Sequence, residues 1–378
     1  MKQLRGLSLF ANIGIGEYYL SSGKAKMVLA NELSHERAAL YRNLHPHSEM
    51  IVGDISCEKT YINIIERAKE LGVNFILATP PCQSMSILGQ VGRGRRFAET
   101  DDNRSYLITH AVNAIMDIEP DYCIIENVQQ MADTSLFING KCVSMYDYIV
   151  SRLCYSYNVT FNKLDAADYG TPQHRRRLFI LISKKPNIWI LPDKILPYQT
   201  VRQAIGHLPS LETNMSSGLP WHHIKSLNER HVEWMKNTPT GASAFYNENP
   251  DFRPTVFDKK LNKLRPIKAF DTAYKRMWWD RPATTITRSN GGCNNQCSVH
   301  PGRPYGDTWS DARPLSVREI IILTGLPEDW IDHLSPDEIS EEFLRDVIGE
   351  CVAPKLVKIL VDNIGATDTL MELFMAAA

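Results

Sequence analysis

The sequence predicts an α/β protein: an open, mostly parallel sheet with its chemistry at the strand ends, joined to a second, smaller domain. Three stretches carry that prediction. Phe75–Ala78 is an apolar run of the length of a buried parallel strand, stopped abruptly by Pro80-Pro81 just before Cys82. Residues 122–125 form a second apolar run that leads straight into Glu126-Asn127-Val128. A third, 178–183, is entered through Gln173-His174-Arg175-Arg176-Arg177. Open α/β sheets bind ligands outside the carboxyl ends of their strands, so a thiol, a carboxyl and an arginine cluster placed there would line one pocket.

Composition sets the outer bounds. With 378 residues, 43% hydrophobic and 22% charged, the chain has the make-up of an ordinary globular protein long enough for two domains. It has no apolar run of about 18 residues and no signal-peptide pattern, so neither a membrane span nor secretion is expected. Of eight cysteines only Cys293 and Cys297 are closely spaced, and without a second Cys/His pair no metal is expected; reduced thiols in a cytoplasmic compartment are. The net charge of −1 is unevenly spread. Residues 253–281 carry nine Lys/Arg against three Asp, whereas 328–346 carry eight acids against Arg345 alone. A local basic face of this kind can neutralise phosphates in a protein that is not basic overall.

Taken in order, residues 4–10 read as a first strand, followed by Ala11-Asn12-Ile13-Gly14-Ile15-Gly16-Glu17 and a helical stretch near 18–22. Glycines between a strand and a helix let backbone approach a ligand and leave N–H groups to meet it. A second strand, 26–30, ends at Asn31-Glu32 and precedes a helix over 35–43; an acid at that point of a Rossmann-like unit is placed to accept from ribose hydroxyls. Gly53-Asp54-Ile55 closes a third strand. Between 85 and 102, Gly89, Gly92 and Gly94 alternate with Arg93, Arg95 and Arg96, the composition of a loop that reshapes cheaply and meets phosphates when it closes. A helix to about 118, a helix near 143–153 and a strand near 157–164 follow. Alternation puts 173, 175 and 177 on one side of an extended chain, so Arg175 and Arg177 would point to the pocket together. From 186 to about 280 proline and asparagine interrupt the pattern, which marks the second domain. Ser316 and Glu319 form a helix-opening capping box.

Pro-Cys-Gln at 81–83, Glu-Asn-Val at 126–128 and Gln-x-Arg-x-Arg at 173–177 resemble, in this order, the motifs of the DNA cytosine-5 methyltransferase family of bacterial restriction-modification type. The resemblance covers nearly the whole chain apart from about 190–275. It implies a Rossmann-like S-adenosylmethionine-dependent methyltransferase domain at 1–188, completed by 340–378, with a target-recognition domain and hinge at 189–339. Phe10, Asn12, Ile13 and Gly14 match the family's cofactor loop, with Asn12 where glycine is usual and Ser8 in place of the usual acid. Glu32 with Leu33 would meet the ribose, Asp54 with Ile55 the adenine, and Pro80 and Leu107 would pack on the cofactor. Near the end Glu350 replaces the family's Asn, two residues before Val352. Gln83, Ser84, Arg93, Arg95, Arg96, Lys259, Lys260, Lys263 and Arg265 are the candidates for contacts to DNA.

The chemistry explains the residue types. Cytosine C5 is a poor nucleophile, and a thiolate adding to C6 raises its electron density, which assigns Cys82 the role of nucleophile. Glu126 would hydrogen-bond N3 and the exocyclic amine; Arg177 and Arg175 would hold O2 and orient that glutamate. The base must be flipped out of its duplex, and no metal is needed. Double-stranded DNA is the expected partner of a monomeric, nucleoid-associated enzyme. The sequence leaves open a separately acting cognate endonuclease, and two further readings: a tRNA cytosine-5 methyltransferase, and a silent nucleic-acid-binding relative suggested by Asn12 and Glu350.

Overall fold

A computed structural model describes residues 3–81, 106–138, 141–268, 270–288, 290–295 and 298–365. The chain divides into two compact units, one of Met1–Asp165, Arg176–Lys194 and Leu356–Ala378, the other of Ala166–Arg175 and Ile195–Lys355. Residues 340–355 therefore group with the second unit, not with the first as the sequence suggested. The reason is local: the buried Arg345 guanidinium donates to Asn290 Oδ1 and to the Leu315 carbonyl, both at 2.9 Å.

The first unit is a seven-stranded sheet with helices. In chain order it comprises β1 (Leu4–Leu9), β2 (Ala25–Glu32), α1 (His35–Leu44), β3 (Glu49–Val52), α2 (Glu58–Glu70), β4 (Phe75–Ala78), α3 (Leu107–Ile118), β5 (Tyr122–Asn127), a small hairpin β6 (Ser135–Ile138) and β7 (Lys141–Ser144), α4 (Met145–Leu153), β8 (Tyr157–Asp165) and β9 (Arg176–Lys184). The strand order is β3-β2-β1-β4-β5-β9-β8, parallel throughout except for β9, which runs against both neighbours. Every residue of β4 and β5 is buried, as continuous apolar runs require when a sheet is covered on both faces. Ile64 and Ala68 of α2 and Ala111, Val112 and Ile115 of α3 join Ile76 and Ile125 in one core.

The chain builds β2 and β3 on one side of β1, then crosses to build β4 and β5 on the other. Strand order thus reverses between β1 and β4, and the crevice outside their carboxyl ends is where such a sheet takes a ligand. The segment after β1 differs from its expected helix. Residues 14–23 fold as linked turns, with Gly14 N–H on Ala11 O, Tyr18 N–H on Ile15 O, Leu20 N–H on Glu17 O and Gly23 N–H on Leu20 O. Gly14 takes φ +80°, and Glu17 is drawn inward by Ser8 and Tyr41, so a regular helical path is not available.

The second unit is organised around buried charge. Its elements include α5 (Val201–Ile205), α6 (Glu229–Lys236), the hairpin β10 (Thr255–Asp258) and β11 (Lys263–Pro266), α7 (Val317–Thr324), α8 (Glu341–Glu350) and the start of α9 (Pro354–Asp362). Arg313 is wholly buried and forks onto Glu319 at 2.7 and 2.9 Å and onto Asp311 at 2.8 Å. Burial alone would raise the Glu319 carboxyl, yet Arg313 outweighs it and holds it at about 2. Glu319 also closes the capping box of α7: Ser316 Oγ accepts from its N–H at 3.2 Å while its carboxylate accepts from Ser316 N–H at 2.7 Å.

Candidate active site at the strand ends

Five strand ends converge on one edge of the first unit's sheet. After β1, Phe10 and Asn12 both adopt positive φ, 60° and 51°, the left-handed turn that asparagine tolerates in place of glycine. Asn12 N–H donates to Glu32 Oε2 at 2.8 Å, and Ser34 N–H donates to Glu32 Oε1 at 2.9 Å. A carboxylate has about four acceptor positions, so Glu32 ties the loop to the end of β2 and keeps capacity for ligand hydroxyls. Beside it Leu33 is 66% exposed, an apolar surface with no core role. Asp54 is exposed after β3, its Oδ1 accepting from Ser56 N–H and Oγ–H, while Ile55 is buried. Two carboxylates, a left-handed backbone turn and an exposed apolar side chain at adjacent strand ends fit a nucleoside cofactor with ribose hydroxyls and an exocyclic amine.

The wall behind that loop was not legible beforehand. Glu17, buried, accepts from Ser8 Oγ at 2.8 Å and from the Tyr41 hydroxyl at 2.6 Å. Desolvation pushes its carboxyl up to about 7, although both hydrogen bonds act the other way. His45 Nε2 lies 3.0 Å from the Gly14 carbonyl, and burial pushes its imidazole down to about 4. Tyr41 lies in the last turn of α1 and His45 is the residue that caps its carboxyl end, with their rings 4.6 Å apart; that this pair lies against the loop does not follow from their spacing. A Cβ at Gly14 would run into His45 and Tyr41, which makes glycine obligatory there. Ile13 is wholly buried, so only its backbone can face a ligand.

At the other side of the crevice, Thr79 Oγ1 donates to the Phe10 carbonyl at 3.0 Å and Asn127 Nδ2 donates to the Pro80 carbonyl at 3.1 Å. These bonds tie the ends of β1, β4 and β5 together at the prolines that lead into Cys82. Glu126, at the end of β5, pairs with Arg177 of β9, Oε1 to Nε 3.3 Å, with side chains only 10% and 20% exposed. Arg177 Nη1 also donates to the Arg176 carbonyl at 2.8 Å. Leu107, half-buried at the start of α3, packs against the first unit's core.

Several predicted positions stand elsewhere. Cys82, Gln83, Ser84, Arg93, Arg95 and Arg96 lie outside the described residues. Arg175 belongs to the second unit, where its buried guanidinium donates to the Ile286 and Gly349 carbonyls at 3.0 Å each. The alternation argument failed because β9 begins only at Arg176, so Arg175 is not in the same extended strand. Glu350 and Val352 are also in the second unit, Glu350 paired with Arg288 Nη1 at 3.0 Å and Val352 buried. Lys259, Lys260, Lys263 and Arg265 lie on the β10–β11 hairpin, and Arg265 Nε is held by Asp258 at 3.1 Å. Among the described residues no group of three or more His, Cys, Asp or Glu could hold a metal ion, and no helix is long and apolar enough to cross a membrane.

The chain is 42% identical over 358 residues to the Type II methyltransferase M1.HgaI of Avibacterium volantium, covering 94% of this chain and 97% of that protein. It is 25% identical to the Type II methyltransferase M1.HphI of Haemophilus parahaemolyticus, over 93% and 84% of the two. The fold is shared with a prophage-encoded DNA modification methyltransferase of E. coli, with a TM-score of 0.64 at 17% identity over 95% and 98% of the chains. Entamoeba histolytica methyltransferase EhMeth gives 0.62 at 13% identity over 97% and 99%. The sequence matches C-5 cytosine-specific DNA methylase over residues 4–366, and with the strand-end site built as above, this chain belongs to that family.

Proposed function

We propose that the chain methylates C5 of a flipped-out cytosine in a short, specific double-stranded DNA sequence, through a covalent bond between Cys82 and C6. The observation that carries this reading is the Glu126–Arg177 pair beside the Pro80-Pro81 end of β4, which Asn127 fastens to β5. S-adenosylmethionine, when bound, supplies the electrophilic methyl group; Phe10, Asn12, Gly14, Glu32, Leu33, Asp54 and Ile55 would hold it.

The chain's own groups do the rest. The Cys82 thiolate adds to C6, and its electron pair moves density through the ring to C5. Glu126 meets N3 and the exocyclic amine, so negative charge does not accumulate on the ring, and Arg177 orients that carboxyl. Once C5 carries the methyl, loss of its proton expels the thiolate and restores aromaticity. Flipping the base costs about a few kcal/mol, offset by contacts to the enzyme.

The relatives named as Type II methyltransferases support a restriction-modification role, with the monomer acting in the cytoplasm on nucleoid DNA and any cognate endonuclease acting separately. Bisulfite sequencing of plasmid DNA from cells expressing the chain, beside cells expressing Cys82→Ser, tests the reading. Cytosines protected in one sequence context, and lost in the variant, are expected. Undiminished protection by Cys82→Ser removes the covalent mechanism, and no protection by either chain moves the substrate to tRNA.

A further inference from the structure

One buried ionisable group takes no part in the methyl transfer itself. Glu17 comes three residues after Gly14, in the wall behind the turn that follows β1, and is only 3% exposed. The groups that face its carboxyl are neutral. From β1, Ser8 Oγ–H donates to Oε2 at 2.8 Å; from α1, the Tyr41 hydroxyl donates to Oε1 at 2.6 Å. Ser48 Oγ, just ahead of β3, stands 3.4 Å beyond that hydroxyl, and the His45 ring lies against the Tyr41 ring. Burial keeps His45 uncharged near neutral pH, since its imidazole is pushed down to about 4. Among the described residues no lysine or arginine pairs with Glu17.

Two donors aimed at the two oxygens favour the carboxylate, whereas desolvation favours the acid and brings the balance to about 7. A buried anion without a counter-charge is stabilised by a cation that arrives nearby, and in the low dielectric of an interior the attraction reaches beyond contact distance. The turn in front of Glu17 can receive one. Phe10, Asn12 and Gly14 take positive φ there, the Ile13 side chain is buried, and His45 Nε2–H donates to the Gly14 carbonyl at 3.0 Å, so backbone is left to face a ligand with the Glu17 carboxyl behind it.

We propose that Glu17 makes the cofactor site charge-selective: its buried carboxylate favours the sulfonium of S-adenosylmethionine over the neutral thioether of S-adenosylhomocysteine, the product left when the methyl has gone. This role rests on S-adenosylmethionine occupying the turn, and it adds the group that distinguishes cofactor from spent product. The two molecules share adenine, ribose and the amino-acid end, so hydrogen bonds from Glu32, Asp54 and the turn act on both alike. Only the charge at sulfur separates them, and a buried carboxylate senses that charge through its field rather than by contact.

Calorimetry on the full chain as wild type, Glu17→Gln and Tyr41→Phe tests the role, with dissociation constants for both ligands measured from about pH 5 to 8.5. The ligands' α-amino group also titrates near this range, but it is common to both and cancels in the ratio of the two constants. In the wild type the ratio is expected to move about tenfold toward S-adenosylmethionine as the pH rises through the Glu17 titration, the change that follows if the sulfonium makes the Glu17 proton tenfold easier to remove. Glu17→Gln keeps the shape without the charge, and its ratio is expected to stay at the wild type's acid value throughout. Tyr41→Phe takes one donor from the carboxylate, so the proton is held more tightly and the midpoint is expected at higher pH. Binding of S-adenosylhomocysteine reports that each variant folds. A wild-type ratio that does not move with pH, a Glu17→Gln ratio that still moves, or a midpoint unchanged in Tyr41→Phe overturns the proposal and, with both ligands bound, leaves the methyl-transfer reading standing. A wild-type chain that binds neither ligand overturns both.

Discussion

Replacing Glu17 by glutamine isolates one ionisation in an otherwise intact wall. The carboxyl sits fully buried between Ser8 and Tyr41, and desolvation moves its proton affinity from the usual 4.5 up to about 7. Because the folded value lies above the unfolded one, Glu17 contributes stability that is fully present below pH 4.5 and is lost as the pH rises through 7. A tenfold change in proton affinity is about 1.4 kcal/mol, so the loss across that window is about 3 kcal/mol. Glutamine keeps the shape and cannot ionise. Glu17→Gln is therefore expected to match the wild type within about 1 kcal/mol at pH 4 and to exceed it by about 3 kcal/mol above pH 8. Urea unfolding of both chains between pH 4 and 9 measures the gap. A gap that does not widen with pH refutes the reasoning, because it means that Glu17 is not a buried group that changes charge in this range.

Glu32→Ala removes the acceptor at the end of β2 and its grip on Asn12, so calorimetry is expected to show S-adenosylmethionine bound at least tenfold more weakly, from about 1.5–3 kcal/mol of charged hydrogen bonding; an unchanged dissociation constant takes Glu32 out of the site. Arg177→Ala unhooks Glu126 and should lower single-turnover methyl transfer by about 10²–10³ with cofactor affinity little changed, whereas equal losses in both would mark a structural role. Arg313→Met strands Glu319 without its buried cation in the second unit and leaves Asp311 to Arg303 alone, and a loss of about 3–5 kcal/mol is expected by urea unfolding at pH 7; a loss under 1 kcal/mol would mean that the network is not what holds that unit.

What could be read in advance is local. Phe75–Ala78 was a strand by its apolar run and its proline stop, and the structure ends it there because a proline cannot continue the ladder. The capping box at Ser316 was equally legible, since its two partners are three residues apart and the hydrogen bonds close within one helical turn. Asn12 was placed by the resemblance where glycine is usual, and its left-handed turn keeps the backbone that a glycine there would give. The expectation for Arg175 failed by the same logic: a period of two holds only inside a strand, and one residue outside it the side chain turned to other partners.

By itself the sequence determined the parallel-strand core, the glycine-bearing turn after β1 and the motif order that matches the family, because each is written in residue type and short spacing. Only the tertiary structure decided that Glu17 closes on Tyr41, 24 residues on, that Asn127 fastens Pro80 across 47, and that Arg175 braces Gly349 across 174. Those pairs are selected by burial: a carboxyl, an amide and a guanidinium taken out of water must each find partners, and which partners are within reach is a property of the packed chain rather than of any stretch of it.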